Sequence, residues 1–372
     1  MSRDALFTPG QIGAVQTAHR VVLAPMTRLR NSADHVPSDL SVEYYRQRSS
    51  VPGTLLVTEG TIIAPSAGGI PFVPGIWSPE QIAAWRKAHC LSLALTQIGL
   101  SQVVDAVHDN KSFIFLQLWA VGRVADKDLL ENEGVTIGVV SSGDVTPDKK
   151  HPQPRPLSNT EIGEYVSWFV RGAKNAVEAG FDGIEVHGSN GYLVDQFIQD
   201  VTNNRTDSYG GSIENRARFP LEIIAALSDA IGASRVAIRF SPWGRFQGMR
   251  MDDPVPQFSY IVRTLAERHP DLAYIHATAP DSEPESLDFI RKLWNPRPMV
   301  VCGGYTPESA LTAAEEAAKN GENLFIAFAR HFLANPDLPK RIQKRLPLNP
   351  YDEPTFYAPG FAQGYIDYPF AE

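Results

Sequence analysis

The amino-acid sequence predicts an α/β fold, a (β/α)8 barrel of the TIM type, over residues 1–372. Short runs of apolar, often β-branched residues recur eight times and alternate with longer helical segments. This alternation is typical of a parallel sheet buried on both faces. A doubly wound sheet is the other fold considered, but its usual Gly-x-Gly-x-x-Gly turn does not follow the first strand. We therefore expect one domain with an N-terminal cap and a long loop after the third strand.

The predicted strands are short and end at polar or small residues. They lie at 21–24, 54–58, 113–118, 183–187, 236–240, 273–276, 298–302 and 324–327. A helix is predicted over 40–48, between the first two strands. In a parallel barrel the chemistry is carried by the C-terminal ends of the strands. The residues that follow each run are therefore the candidates for a functional site.

The best-marked helix lies between the third and fourth strands. Ser158 and Glu161 form the pattern of a capping box, and Gly180 stands at the usual left-handed end position. An apolar stripe at helical spacing predicts the core-facing side, namely Ile162, Val166, Val170, Ala173 and Val177. The preceding segment 126–156 is polar and rich in proline. Long loops of this kind are often lids or binding loops, so we expect it to overhang the site.

Composition excludes several classes of protein. The net charge is −8 without a basic run, which argues against a nucleic-acid partner. Cys90 and Cys302 are too few for a disulfide framework and fit a reducing compartment. No run approaches membrane-spanning length, and residues 1–10 lack the pattern of a secretory signal. We expect a cytoplasmic protein that acts on a small molecule.

The stretch 183–192 ends the fourth strand and carries three hydrogen-bond donors. His187, Asn190 and Tyr192 are separated by Gly188 and Gly191, which allow a sharp turn. A zinc site is disfavoured, because His187 has no second His or Cys at ligand spacing. Two neutral donors beside a phenol suit a carbonyl oxygen on which charge builds and a nearby proton transfer. The alternative is that these side chains only satisfy the backbone of the loop.

Other strand ends offer groups that suit a phosphate and a heterocycle. Gly303-Gly304 and Arg330 follow strands seven and eight, where barrels commonly bind phosphate. Gln117 offers a donor and an acceptor to an imide edge. Arg239 is a charge at the barrel mouth that needs an anionic partner. Together these groups describe a site for flavin mononucleotide (FMN).

The chain resembles the old yellow enzyme family of flavin-dependent ene-reductases. The resemblance covers about residues 6–370 and is carried by the motifs at 24–28, 58–60, 117–119, 187–193, 204–212 and 214–216. The ending at 346–349 and 364–369 is similar to the fungal and plant branch. The resemblance implies FMN as cofactor, NADPH or NADH as reductant, and a possible homodimer.

The resemblance implies a role for each matched position. The cofactor would be held by Pro25, Met26, Thr27, Gly60, Gln117, His187, Arg239, Gly303, Gly304, Ala329 and Arg330. His187 and Asn190 would hold the carbonyl oxygen of an enone or enal, and Tyr192 would protonate the α-carbon. The pocket would be shaped by Trp119, Phe356 and Tyr357, which otherwise are ordinary buried aromatics.

Two features depart from the family pattern. The usual Gly-x-Gly-Arg at the eighth strand is Ala-Phe-Ala-Arg at 327–330, and the methyl groups are expected to crowd a phosphate or to block a positive φ. Residues 88–102 look like an insertion within the second helix of the barrel. Two further functions are therefore considered: a flavin-binding protein with impaired catalysis, and a barrel lyase or isomerase that uses the same phosphate site.

Overall fold

Eight parallel strands close into a barrel, as predicted. The computed structural model describes residues 4–86, 102–279 and 286–372. Its strands are β1 (Gly10–Ile12), β2 (Val15–Thr17), β3 (Val21–Leu23), β4 (Leu55–Val57), β5 (Thr61–Ile62), β6 (Phe113–Trp119), β7 (Val140–Ser141), β8 (Arg155–Pro156), β9 (Gly183–Gly188), β10 (Val236–Phe240), β11 (Tyr274–Thr278), β12 (Met299–Cys302) and β13 (Leu324–Phe328). The barrel consists of β3, β4, β6 and β9 to β13, and the pairing of β13 with β3 closes it.

The helices surround the barrel. In the described parts of the chain they are α1 (Asp39–Arg48), α2 (Pro79–Trp85), α3 (Val103–Asp109), α4 (Lys127–Asn132), α5 (Asn159–Ala179), α6 (Leu193–Ile198), α7 (Ile213–Ile231), α8 (Val255–Arg268), α9 (Asp288–Trp294), α10 (Pro307–Lys319), α11 (Arg330–Ala334) and α12 (Leu338–Lys344). Outward-facing strand residues pack against these helices in one large hydrophobic cluster. No helix among these has the length and apolar character needed to cross a membrane.

Alternation along the strands separates the barrel interior into an apolar end and a polar end. The interior near the strand starts is filled by a second apolar cluster that includes Val22, Leu55, Phe115 and Phe325. Two residues further along β6, β9, β10 and β11, toward their C-terminal ends, the interior residues are polar. Gln117 is then the register partner of Glu185, while Arg239 is the partner of both His187 and His276. The register therefore brings these polar residues together at the mouth of the barrel.

The N-terminal hairpin closes the opposite end of the barrel, which confirms the predicted cap. β1 and β2 pair antiparallel, and Ile12 and Val15 join the interior apolar cluster. Gly13 turns between them with φ of 53°, and an added Cβ would lie 2.1 Å from the carbonyl oxygen of Ser234. Glycine is required here because both the backbone angle and the close approach exclude a side chain.

Helix α5 begins and ends as predicted, but its buried face is turned. Ser158 and Glu161 form the reciprocal capping box, and Gly180 has φ of 95°. The predicted stripe is only partly buried, because Val166, Val170 and Val177 are at its edge. The most buried residues are Ile162, Tyr165, Phe169, Gly172, Ala173, Ala176 and Ala179. The prediction counted aliphatic residues, whereas the larger rings of Tyr165 and Phe169 dominate the packing.

The segment after β6 is long but is not without structure. Residues 126–156 contain α4 and the two strands β7 and β8, which pair in parallel. The predicted insertion, except for Gln102, lies outside the described residues. On either side of it the helices α2 and α3 are separate, since Arg86 and Gln102 have extended backbone. Val103, Val104 and Val107 are fully buried, so the docking face of α3 is in place.

Candidate functional site

The C-terminal ends of the barrel strands surround one continuous cleft. It consists of two cavities of about 460 and 750 Å³. Both are lined by Asn190, Arg239, Phe246, Ala329 and Arg330. A cleft of this size can enclose an extended cofactor and a small substrate side by side.

Every residue predicted for the site lines this cleft. The smaller cavity is lined by Pro25, Met26, Thr27, Gly60, Gln117, Trp119, His187, Asn190, Tyr192, Arg239, Ala329, Arg330, Phe356 and Tyr357. Gly303 and Gly304 line the larger cavity, again together with Arg239, Ala329 and Arg330. The fold therefore brings together strand ends that are as far apart in the chain as Pro25 and Arg330.

The three donors of the fourth strand end face the smaller cavity in a rigid turn. Asn190 has φ of 59°, and its backbone N–H donates to Ser241 Oγ at 2.7 Å. The N–H of Gly191 donates to the buried carboxyl of Asp195 at 2.9 Å. The ring of Tyr192 lies edge-on to that of His187, with centroids 4.9 Å apart. Hydrogen bonds to the backbone of residues 190 and 191 thus fix the turn that carries these side chains.

Burial keeps both titratable groups of this turn in their neutral forms. Burial, reinforced by the charge of Arg239, lowers the pKa of His187 well below its ordinary value. Burial raises the pKa of the Tyr192 phenol to about 12, although the side chain of Gln247 acts in the opposite direction. At neutral pH the site therefore presents an uncharged imidazole and a protonated phenol, as a donor clamp with a proton source requires.

Trp119 is both a packing residue and a wall of the cavity. It is 1% exposed, stacks on His187 and meets the edge of Tyr192 at a centroid distance of 4.7 Å. A Cβ on Gly60 would lie 2.6 Å from its ring, so this glycine is needed for the close approach. From the sequence, Trp119 was either a pocket residue or an ordinary buried aromatic. In the structure it is both buried and a lining residue of the cavity.

A charged network that the sequence reading missed lies beneath the cleft. Gln117 donates through Nε2 to Glu185 at 2.7 Å, and His276 Nδ1 lies 2.9 Å from the other oxygen of this carboxyl. Burial alone would raise the pKa of Glu185, but His276 and these hydrogen bonds hold it below its ordinary value. The signal in the sequence was a glutamate inside an otherwise apolar strand, which is rarely buried without partners.

Because a carboxylate only accepts hydrogen bonds, it determines the orientation of the Gln117 amide. The Nε2 atom must face Glu185, and both residues are buried. The carbonyl oxygen and the second N–H of Gln117 then remain for the cleft, where Gln117 is a lining residue. This pair of groups matches the donor and acceptor of an imide.

The far end of the cleft has the features of an anion site. Gly303 has φ of 111°, and a Cβ there would lie 1.9 Å from the carbonyl oxygen of Ala279. Gly304 has φ of 65°. Arg239 reaches the same space with a buried Nε that bonds to no described residue. Backbone turns of this kind beside guanidinium groups suit phosphate, so the residues present fit FMN.

The alanines of the eighth strand do not meet the backbone conflict that we expected, while crowding of a phosphate by their methyl groups, which line the larger cavity, stays a prediction. Ala329 has φ of −93°, an ordinary angle for a residue with a side chain. Ala327 is 2% exposed and belongs to the interior apolar cluster. The expected conflict with a positive φ was wrong, because the left-handed residues of this end are Gly303 and Gly304.

The C-terminal segment 355–365, which carries Phe356 and Tyr357, is held by two buried arginines. Arg28 donates to the carbonyl oxygens of Phe356 and Gly364, each at 2.9 Å. Arg30 donates to the Phe356 carbonyl as well and to three further carbonyls of the segment, those of Thr355, Phe361 and Gln363. Neither arginine had a predicted role, because their acceptors are backbone atoms more than 300 positions away.

The loop after β10 supplies the remaining wall, instead of the loop after β6. None of residues 126–156, all of which the structure describes, lines either cavity. The expected overhang was therefore wrong. Arg123 instead joins the two loops by donating to the carbonyl oxygens of Val145 and Gln247, at 3.1 and 2.7 Å. The loop after β6 thus supports the loop that carries Phe246 and Gln247.

The cleft offers backbone turns and guanidinium groups at one end and an amide with a remaining donor and acceptor at the other, which are groups that a flavin mononucleotide site needs. Residues 5–349 match the model of the NADH:flavin oxidoreductase / NADH oxidase family. The chain belongs to this family, whose members include the old yellow enzymes. FMN is its cofactor and NAD(P)H its reductant.

Similar proteins extend over nearly the whole chain. An NADP-dependent oxidoreductase of Aspergillus flavus is 45% identical and matches 99% of this chain and 96% of its own length. A chanoclavine-I aldehyde reductase of Penicillium roqueforti is also 45% identical and matches 98% of this chain and 96% of its own length. A probable inactive reductase of Epichloe festucae var. lolii is 45% identical and matches 100% of this chain and 97% of its own length. The old yellow enzyme from Pichia sp. AKU4542 superimposes with a TM-score of 0.88 at 36% identity. The superposition covers 99% of this chain and 94% of that enzyme.

Proposed function

We propose that the protein is an ene-reductase that reduces the C=C bond of an α,β-unsaturated aldehyde or ketone. FMN, when bound, supplies the hydride carrier between NAD(P)H and the substrate. The observation that carries the proposal is the meeting of His187, Asn190 and Tyr192 in the cavity that Thr27 and Gln117 also line. A similar protein named as an aldehyde reductase supports this substrate class.

The residues of the turn would perform two tasks on the substrate. His187 and Asn190 would donate to the carbonyl oxygen, on which negative charge builds when the β-carbon gains a hydride. Donors aimed at developing charge bind the transition state better than the ground state. Tyr192, with a pKa of about 12, would hold its proton at neutral pH and deliver it to the α-carbon.

The other lining residues would hold the cofactor. Pro25, Met26, Thr27 and Gly60 line the smaller cavity with Gln117, and Gln117 would meet the pyrimidine edge with the orientation that Glu185 imposes. Gly303, Gly304 and Arg330 would hold the phosphate, while Arg239 would compensate negative charge on the reduced ring. Trp119, Phe356 and Tyr357 would shape the space for the substrate.

A second candidate function is flavin binding without turnover. It is favoured by the relative that is named as a probable inactive reductase. The visible spectrum of the purified protein, recorded before and after anaerobic addition of NADPH and then of 2-cyclohexenone, separates the candidates. Bleaching by NADPH and recovery on the enone support the ene-reductase. A yellow protein that NADPH does not bleach would support the second candidate, and a colourless protein would contradict both.

The role of Tyr192 is tested by separating the two half-reactions. Tyr192→Phe should slow the oxidation of reduced enzyme by an enone about 10²–10⁴-fold, the usual contribution of a general acid. The reduction by NADPH should keep the rate of the parent enzyme, because the phenol acts on the alkene alone. Stopped-flow traces decide this, and equal slowing of both halves would remove Tyr192 from the role.

The homodimer and the cytoplasmic location stay predictions. Light scattering of the purified protein tests the first, and cell fractionation tests the second.

A further inference from the structure

Ser189 lies inside the donor turn, and the proposed function gives it no task. Its side chain is fully buried, and its Oγ is 3.2 Å from His187 Nδ1. The hydroxyl has no other hydrogen-bond partner within residues 4–86, 102–279 and 286–372. Ser189 and His187 therefore form an isolated pair whose proton positions depend on each other.

A neutral imidazole carries one proton, so this pair has two possible arrangements. In the first, Ser189 donates its O–H to Nδ1 and the ring proton is on Nε2. In the second, Nδ1–H donates to Ser189 Oγ, and Nε2 carries only a lone pair. Only the first arrangement leaves His187 able to donate to an oxygen in the cleft.

The burial of Ser189 favours the first arrangement. The second would leave the hydroxyl hydrogen in the protein interior without an acceptor, and an unmade hydrogen bond of a buried donor is costly. The first leaves only oxygen lone pairs unused, which proteins tolerate more readily. Burial and the charge of Arg239 lower the pKa of His187 and keep the ring singly protonated, so His187 exists as one or the other of the two neutral tautomers.

We propose that Ser189 is a positioning residue that fixes His187 as the Nε2–H tautomer, so that its ring donates to the carbonyl oxygen of the substrate. This proposal rests on the proposed function for its purpose, but the tautomer itself does not depend on turnover. Asn190 is positioned differently, because Ser241 accepts its backbone N–H and acts on the main chain. Substitutions of Ser189 and Ser241 are therefore expected to have different effects on the His187 tautomer.

The tautomer can be read directly by NMR on oxidised holoenzyme labelled with ¹⁵N-histidine. The chain has 9 histidines, and comparison with His187→Asn assigns the signal of interest. We expect the parent protein to show His187 protonated on Nε2 alone. Ser189→Ala should add a population protonated on Nδ1, and Ser189→Cys should lie between because a thiol is a weaker donor. Ser241→Ala should keep the parent pattern.

Phenol binding provides the second measurement. A phenolate oxygen mimics the charged carbonyl, and its complex with bound flavin gives a long-wavelength absorbance band. Loss of one ordinary hydrogen bond predicts weaker phenol binding by about 2- to 10-fold in Ser189→Ala, with Ser189→Cys between it and the parent. Ser112→Ala removes a buried hydroxyl that donates to Ser49 and Val51, distant from the cleft, and should leave phenol affinity unchanged.

Two tautomer results would overturn the proposal. A parent protein with His187 protonated on Nδ1 contradicts it, as does an unchanged tautomer in Ser189→Ala. Weaker phenol binding without a tautomer shift would show that Ser189 is only a packing residue. A protein that fails to reduce enones but shows the expected tautomer series would refute the proposed function and leave this inference standing.

Discussion

The two walls of the cleft are built in opposite ways. The catalytic wall, residues 187–195, is held by contacts that are mostly short in sequence, such as His187 to Ser189 and Gly191 to Asp195. The substrate wall, residues 355–365, is held by Arg28 and Arg30 across 325 to 336 positions. Most residues of the first wall are buried, with Asn190 and Tyr192 partly exposed, whereas Tyr357 on the second is 66% exposed.

If the protein is the proposed ene-reductase, this difference predicts that its chemistry and its substrate selection are separable. A donor that is fixed by its own turn does not depend on a distant segment for its geometry. Side chains of the C-terminal segment that the arginines do not contact, such as Tyr357, can in turn change without moving the donors, since the hydrogen bonds of Arg28 and Arg30 go to the backbone of the segment. We expect changes in the catalytic wall to lower kcat, and changes in the substrate wall to alter KM and stability.

The largest effect should come from removing both carbonyl donors. His187→Ala combined with Asn190→Ala should lower enone reduction by about 10⁴-fold or more, since one such donor is commonly worth 10²–10³. Phenol binding should be lost as well. Steady-state rates and phenol titration measure both, with Ser112→Ala as the control. An unchanged phenol band in the double variant would show that these residues do not form the clamp.

Loosening the substrate wall should mainly affect stability. Arg30→Met leaves the carbonyls of Thr355, Phe361 and Gln363 without this donor. It should cost about 2–4 kcal/mol, because several hydrogen bonds of a buried arginine are lost and the Thr355 carbonyl is a buried acceptor. Urea unfolding measures this free energy. Arg155→Met, which removes an exposed partner of Glu161, should cost about 1 kcal/mol or less. Similar losses in both variants would contradict the structural role of Arg30.

The catalytic wall contains one buried carboxyl with a raised pKa, Asp195, and a second, Glu59, accepts the backbone N–H of Arg28, which holds the substrate wall. Burial raises the pKa of Asp195 to about 7 from 3.8, and that of Glu59, beside Arg28, to about 7 from 4.5. Between the two values the folded state binds the proton and the unfolded state does not. Their contributions to stability are therefore complete at low pH and are lost as pH rises through about 7, with a slope up to about 1.4 kcal/mol per unit for each group.

Removing either carboxyl should flatten this dependence. Asp195→Asn and Glu59→Gln should each lose one part of the slope between pH 5 and 7, measured by urea unfolding at fixed ionic strength. The variants should differ in activity, because Asp195 accepts the N–H of Gly191 next to Tyr192, whereas Glu59 supports the N–H of Arg28 at 3.2 Å. A variant with the slope of the parent protein would show that its carboxyl is already ionised at pH 5.

The contrast between the walls also explains what the sequence could predict. The strand pattern and the strand ends were sufficient for the barrel and for the lining residues, because periodicity and position along a strand are local properties. The contacts of Arg28 and Arg30 were not predictable, since a backbone carbonyl has no sequence signature. The buried face of α5 was misplaced because packing around Tyr165 and Phe169 depends on the barrel they contact. Glu185 and His276 meet only once the register of β9, β10 and β11 is known.

The smallest effect should come from Tyr357, and it tests the separation of the walls most sharply. Its ring lines the cavity although most of it is exposed, so Tyr357→Ala should change stability by less than about 0.5 kcal/mol. For a bulky aromatic enal we expect KM to rise about 2- to 10-fold, the usual worth of one aromatic contact. For 2-cyclohexenone, which is too small to need this contact, both KM and kcat should stay near the parent values.

The comparison with Phe356→Ala supplies the control on the same segment. Phe356 is only partly exposed and lies under the guanidinium of Arg28, at 5.5 Å from the ring centroid. Its loss should lower stability more than the loss of Tyr357 and should leave the carbonyl contacts of the arginines intact. Tyr357 and Tyr192 line the same cavity, so a substrate in it can contact both. If Tyr357→Ala lowered kcat for 2-cyclohexenone as strongly as Tyr192→Phe does, the two walls would act as one unit, and selection of the substrate could not change without changing the chemistry.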